Sequence, residues 1–136
     1  MLSRPSLTWI DAVINHPSVR SAIEQGTHRL TAESLLASGA RVFGEQGAVI
    51  VLVPLGQGVY QGHVAAIDGS RGAVALQLGA SVLRTVFNAG EAVKVVAEVP
   101  LQLPAARLYC RRLKFSSIGQ DLFQEYFEVE AAQWAD

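Results

Sequence analysis

The sequence predicts an α+β domain, and three observations carry that reading. Short segments rich in Val, Ile and aromatic residues follow one another between residues 40 and 67 with only Gly-containing spacers between them, the pattern of a meander of antiparallel strands. Apolar residues then recur at helical spacing over about five turns from Arg71 to Asn88. Beyond that helix, segments that read alternately as strand and helix run to residue 129. With 136 residues, half of them hydrophobic, the chain fits a single domain, residues 1–136, with a buried core.

The elements follow in order. Residues 8–14 read as a short helix that Asn15-His16-Pro17 breaks, because proline drives its predecessor away from helical angles while itself opening the next turn, 18–24. A third short helix spans 31–36, with the Thr31 hydroxyl as its cap and Ser38-Gly39 as its stop. Strands are expected at 40–43, 48–53 and 59–67, separated by the spacers 44–47 and 54–58. In the long helix Val74, Ala75, Leu78, Val82 and Val86 form the apolar stripe, with Leu76, Leu83 and Phe87 beside it, and Ala89-Gly90 ends it. A strand at 93–99 leads through Pro100 and Pro104 into a second helix reaching about Leu113, and strands at 115–118 and 122–129 close the domain. Neither an internal repeat nor a low-complexity linker interrupts this order.

Composition excludes several classes. A formal charge of −1 with dispersed basic residues argues against a nucleic-acid surface. The single Cys110 leaves no internal disulfide and no multi-cysteine metal site, which suits a reducing cytosol, and no metal is expected. The amino terminus lacks a basic start followed by an unbroken apolar run. The most apolar window, 47–53, is far shorter than the roughly 20 residues that cross a bilayer, so no membrane partner is expected.

Chemistry is suggested first by the junction between the third strand and the long helix. There Gly69-Ser70-Arg71-Gly72 forms a turn whose amides, with the positive end of the helix dipole, make an anion site to which Arg71 adds a mobile charge. Gly and Ser also close such junctions for geometric reasons alone.

Along the chain stand His16-Pro17-Ser18-Val19-Arg20, Pro54-Leu55-Gly56-Gln57-Gly58-Val59-Tyr60, His63, Arg71-Gly72 and Val99-Pro100. In this series the motifs resemble those of small GNAT-like proteins of tailed bacteriophages and prophages, and the order of elements is similar to the GNAT acyltransferase fold. The resemblance implies a GNAT-like fold: a central, mostly antiparallel twisted sheet with helices on both faces and a short helical amino terminus. It also implies that, if CoA binds, amides near Ala66 and Ile67 pair with the pantetheine arm while Gly69, Ser70, Arg71 and Gly72 hold pyrophosphate. His63 would then be the base. Two departures weigh against the enzyme. Counted from Arg71, the branched Val74 and Leu76 occupy positions that are small in acetyl-CoA-using relatives. Leu103 stands where an Asn opens the second helix, Lys114 replaces the Gly before Phe115, and Tyr109 falls one residue early, with Cys110 at the tyrosine position. One residue turns a helix by about 100°, which leaves the general acid unassigned.

Each remaining candidate has a bland reading beside the functional one. His63, flanked by Gly62 and Val64, is either the base or a tie to a neighbouring loop. Cys110 reads as a small core residue rather than a nucleophile. Arg107, Arg111 and Lys114 share one helix face, as a solvated stripe neutralised by Glu125, Glu128 and Glu130 or as a contact for a phosphate or an acidic partner. Trp9 and Trp134 are either buried anchors of the two ends or interface residues.

These readings together favour a phage-encoded protein with a degenerate acetyl-CoA site and no cofactor, acting in the host cytoplasm or within the virion. Its expected partners are other phage structural proteins or a host protein, with homo-oligomers also open. The alternative is an active acetyl-CoA-dependent N-acetyltransferase, and a ligand sensor without turnover stands between the two.

Overall fold

The computed structural model describes residues 39–45, 47–66 and 72–134. The expected helices between residues 8 and 36, Trp9, and the turn residues Ile67, Gly69, Ser70 and Arg71 lie outside that range. Within it the chain forms β1 (Arg41–Glu45), β2 (Ala48–Gly56), β3 (Val59–Ala66), α1 (Ala73–Asn88), β4 (Lys94–Pro100), α2 (Pro104–Arg112), β5 (Ser116–Gln120) and β6 (Gln124–Glu130), then a 3-10 turn, Ala131–Gln133. The type and order of these elements follow the sequence expectation. The differences are at the edges: β2 continues through Pro54 to Gly56, and α1 begins at Ala73 rather than Arg71.

All the strands join one sheet in the order β1-β2-β3-β4-β6-β5. Every neighbouring pair is antiparallel except β3 and β4. The β2–β3 hairpin turns on Gln57 and Gly58, both in the left-handed region with φ 57° and 80°, the geometry that matches strand twist in a two-residue loop. The Gly58 carbonyl then accepts a hydrogen bond from the Val93 amide at 2.8 Å. That bond pins the start of β4 beside the start of β3.

The core lies between the sheet and α1. Ile50 and Leu52 of β2, Val95 of β4 and Val129 of β6 pack with Leu78, Val82 and Val86 of the helix. A satellite cluster places Cys110 of α2 on Val99 and Phe127. Val95 and Val99 point to the same side of β4 because side chains alternate along a strand, so both helices cover one face. On the other face Val49, Val51 and Ala65 are buried as well.

Two clasps fix α2 and the carboxyl-terminal turn. Glu125, the one buried charged side chain among the described residues, accepts from Arg107 Nε at 2.8 Å and pairs with Arg111 at 3.3 Å, tying α2 to β6. Two of the three basic residues on the predicted stripe are thus spent internally. Lys114 turns instead to Trp134, with its Nζ 4.5 Å from the ring centre, while Arg84 of α1 lies 5.1 Å from the same ring. Trp134 is only 8% exposed and donates Nε1–H to the Leu113 carbonyl at 2.9 Å. It is an anchor, shared by both helices.

Replacing Trp134 by Ala is expected to lower the unfolding free energy by about 3–5 kcal/mol, the usual loss for a buried large aromatic, measured as a drop in urea midpoint. A loss below about 1 kcal/mol would show that the ring is not docked. The Glu125 carboxyl is held below its ordinary pKa, first by a hydrogen bond from Ser117 and then by Arg107. A depressed folded-state pKa stabilises above the unfolded value, about 4.3, and that contribution fades as pH falls through the folded one. Wild type should therefore exceed Glu125→Gln in stability at pH 7, with the gap closing below about pH 4; a gap constant from pH 7 to pH 3 would overturn this.

Candidate active site

The one parallel contact in the sheet is short. β3 and β4 pair only through Val59↔Lys94, Tyr60↔Val95 and Gln61↔Val96. Beyond Gln61, β3 stays with β2 as far as Ala66, and beyond Val96, β4 stays with β6 as far as Pro100. Each strand follows its outer neighbour, and Pro100 has no N–H with which to re-join them. A wedge opens toward their carboxyl-terminal ends, and a cleft of about 360 Å³ runs through it. Its helix side carries Gly79, Tyr109 and Cys110, and its other side Gln61, His63 and Glu98.

Strand register explains the second group. Gln61 lies opposite Val96, and two residues further along each strand the same face carries His63 and Glu98. They look across the gap toward one another. The His63 side chain reaches solvent, yet the protein around it removes enough water to lower its pKa below 6.5, an effect that the Glu98 carboxylate partly opposes. At neutral pH the imidazole is neutral. Glu98 is exposed and takes no part in the salt bridges among the described residues. Sequence reasoning missed it because it reads as an ordinary outward-facing strand residue; only the register with β3 brings it to the site.

On the helix side Tyr109 faces the cleft after all. Gly79 of α1 allows this, since a Cβ there would stand 2.5 Å from Tyr109 Oη and 2.6 Å from Leu113 Cδ1. The helices approach so closely that the tyrosine hydroxyl donates to the Ala75 carbonyl at 2.6 Å. Burial pushes its pKa well above 10, so the phenol keeps its proton. The Cys110 thiol lines the same cleft and burial pushes it up to about 12, which leaves no thiolate for nucleophilic attack at neutral pH.

The first turn of α1 is tied to the cleft wall by the bond between Tyr109 and the Ala75 carbonyl. Gly72 is the N-cap with φ 80°, no side chain caps the helix, and its first turn holds no acidic residue. These are the conditions for an anion site at a helix amino terminus. Gly72 and Ala73 are exposed there. Val74 and Leu76, counted from Arg71 as obstructing residues, are half-buried with contacts to the core; the turn from which they were counted lies outside the described residues. Leu103 is the N-cap of α2 and lines the cleft. Ala66 ends β3 at the wedge opening. Among the described residues no group of His, Cys, Asp or Glu gathers as for a metal ion, and no helix is long and apolar enough to cross a membrane.

No protein-family model and no curated protein sequence matches the chain. Solved structures do. The spermidine N-acetyltransferase of Vibrio cholerae, in complex with CoA and spermine, superposes with a TM-score of 0.80 at 13% identity, over 98% of this chain and 96% of that one. The smu.2055 protein of Streptococcus mutans gives 0.78 at 13% identity, over 96% and 99%. The N-acetyltransferase PseH of Campylobacter jejuni, in complex with acetyl coenzyme A, gives 0.61 at 15% identity, over 72% and 73%. The mixed sheet, its splayed parallel pair and this agreement identify the fold of the chain as that of the GNAT acetyltransferases.

Proposed function

We propose that the protein is a CoA-dependent N-acyltransferase, moving an acyl group, acetyl in the simplest case, from the CoA thioester to an amine. The observation that carries this reading is the cleft itself: a wedge with His63 and Glu98 on one wall and Tyr109 on the other, the tyrosine bonded to the first turn of a helix whose amino terminus no side chain caps. Structures of similar fold in complex with CoA and spermine or with acetyl coenzyme A support it. The expectation of a degenerate site rested on Val74 and Leu76 together with the missing Asn and Tyr of the second helix; Val74 and Leu76 are half-buried with contacts to the core, and Tyr109 lines the cleft.

Roles follow from position and protonation. First-turn amides of α1 at Gly72 and Ala73 hold the pyrophosphate. Edge groups of β3 beyond Gln61, where β4 has turned away, meet the amides of the pantetheine arm. Glu98 draws a cationic amine to the face on which His63 lies. The neutral His63 imidazole then takes a proton from the amine, whose nitrogen forms a bond to the thioester carbonyl carbon as the carbon–sulfur bond breaks. The second proton that this nitrogen sheds passes to the departing sulfur, while Tyr109, its hydroxyl committed to the Ala75 carbonyl, shapes the helix-side wall. Attack is direct, so Cys110 has no covalent part to play.

Calorimetric titration with CoA and acetyl-CoA should show micromolar binding, on the order of 8 kcal/mol. No heat at millimolar ligand, with an unchanged melting temperature, would overturn the proposal. Once an amine acceptor is found by screening, His63→Ala should lower kcat by about 10²–10⁴-fold, the usual share of a general base, with CoA affinity changed by less than roughly threefold. Because burial lowers the His63 pKa and the base works deprotonated, kcat/KM should rise with pH through an inflection below 6.5 and level off by pH 7. Glu98→Gln removes the influence that raises that pKa, and should move the inflection to lower pH. An inflection that ignores both substitutions would take His63 out of the reaction.

A further inference from the structure

Gln61 shares a cleft wall with His63 and Glu98, and its surroundings leave its carboxamide without a structural use. Its cross-strand neighbours are Val53 on β2 and Val96 on β4, neither of which offers a side-chain hydrogen bond. Among the described residues the Gln61 side chain has no hydrogen-bond partner. Gln133 shows the contrast: its side-chain oxygen accepts from the Glu130 amide at 2.9 Å and its nitrogen donates to the Lys114 carbonyl at 3.4 Å, which fastens the carboxyl-terminal turn. A half-buried carboxamide without a protein partner is costly to keep in a fold.

The two polar residues beside it are as isolated. His63 stands two places along β3, opposite Val51. Glu98 stands two places along β4, opposite Tyr126, whose hydroxyl is bonded to Asp121, and it is near enough for its charge to act on His63. Side chains alternate along a strand, so Gln61, His63 and Glu98 share one face. Two residues of strand span about 6–7 Å, a gap that long side chains bridge. Three acceptors therefore border one space: the Gln61 side-chain oxygen, the Glu98 carboxylate and the unprotonated nitrogen of the neutral His63 imidazole.

We propose that Gln61 is the residue that sets specificity for the acceptor, its side-chain oxygen taking one N–H of the incoming ammonium group while Glu98 and His63 take the other two. The assignment rests on the acyl-transfer reading above and goes beyond it in naming the residue that tells one amine from another. A primary ammonium carries three N–H groups and fills all three acceptors. An N-methylated amine brings a carbon against one of them, and that acceptor loses its partner. Discrimination by a hydrogen bond made or missing is steeper than an apolar wall supplies. Gln61 exchanges no proton; it reads the nitrogen before His63 takes a proton from it.

The probes are butylamine, N-methylbutylamine and N,N-dimethylbutylamine, whose ammonium forms carry three, two and one N–H on the same chain. Each is titrated into the full chain in the presence of CoA and followed by the assigned His63 imidazole signals in the NMR spectrum. Every methylation should weaken binding about tenfold, the loss of one charge-assisted hydrogen bond. With CoA bound, equal affinities, a preference for the methylated amines, or an unmoved His63 signal at about 100 mM amine would overturn the assignment and leave acyl transfer standing. No binding of CoA would overturn both. Gln61→Leu keeps the volume and removes the oxygen, and should bring butylamine and N-methylbutylamine within roughly threefold of one another. Gln61→Glu keeps an acceptor and should retain the preference. A Gln61→Leu protein that binds CoA and still favours butylamine about tenfold, or a Gln61→Glu protein that binds CoA and has lost the preference, would overturn the role of Gln61.

Discussion

Backbone hydrogen bonding is the constraint on which this structure turns. A sheet interior ordinarily satisfies each N–H and C=O through its neighbours, and leaving them unpaired inside a protein costs about as much as a lost hydrogen bond each. Here β3 and β4 share only three register pairs before parting, held apart by their antiparallel commitments to β2 and β6. The parting opens a cleft in the middle of the molecule, between strands that each keep one outer neighbour. Side chains from both faces of the sheet reach it there.

The rest of the fold holds that gap in shape. Gly58 fixes the closed end through its carbonyl bond to Val93, and a substituent at Gly58 would crowd the Val93 side chain at 3.2 Å. α2 is secured from one side by the pairing of Arg107 and Arg111 with Glu125 and from the other by the Trp134 ring between Arg84 and Lys114. Since α2 carries Leu103, Tyr109 and Cys110 into the cleft, these remote clasps set the position of the helix-side wall. Charge that the sequence displays as a surface stripe acts mainly as internal fastening.

The architecture was largely legible because its signals are local. The unbroken apolar run of 48–53 and the helical recurrence from Val74 to Val86 needed no tertiary knowledge. Properties set by register were hidden. Glu98 joins His63 only because two strands distant in sequence run parallel at one offset. Tyr109 could not be placed by counting along its helix, because its direction is decided by the close approach at Gly79. Val74 and Leu76 read as small-residue positions in a linear motif, whereas the helix begins at Ala73 and leaves both half-buried with contacts to the core. Linear spacing fixes the face of a helix relative to itself and says nothing about where that face points.

The far edge of the sheet sets a sticky element beside a feature that interrupts it. All of β5 is exposed, and the turn after it presents Leu122 at 87% and Phe123 at 74% exposure, made stiff by Asp121, which accepts hydrogen bonds from the Phe123 and Gln124 amides and the Tyr126 hydroxyl. A bare strand of this kind is a template for another chain. Its register, however, breaks between Ser117 and Gly119, where Gly119 has φ 143°. Such an irregularity bends the outer row of amides out of line, so that a strand laid against this edge would meet a broken ladder, not a continuous one.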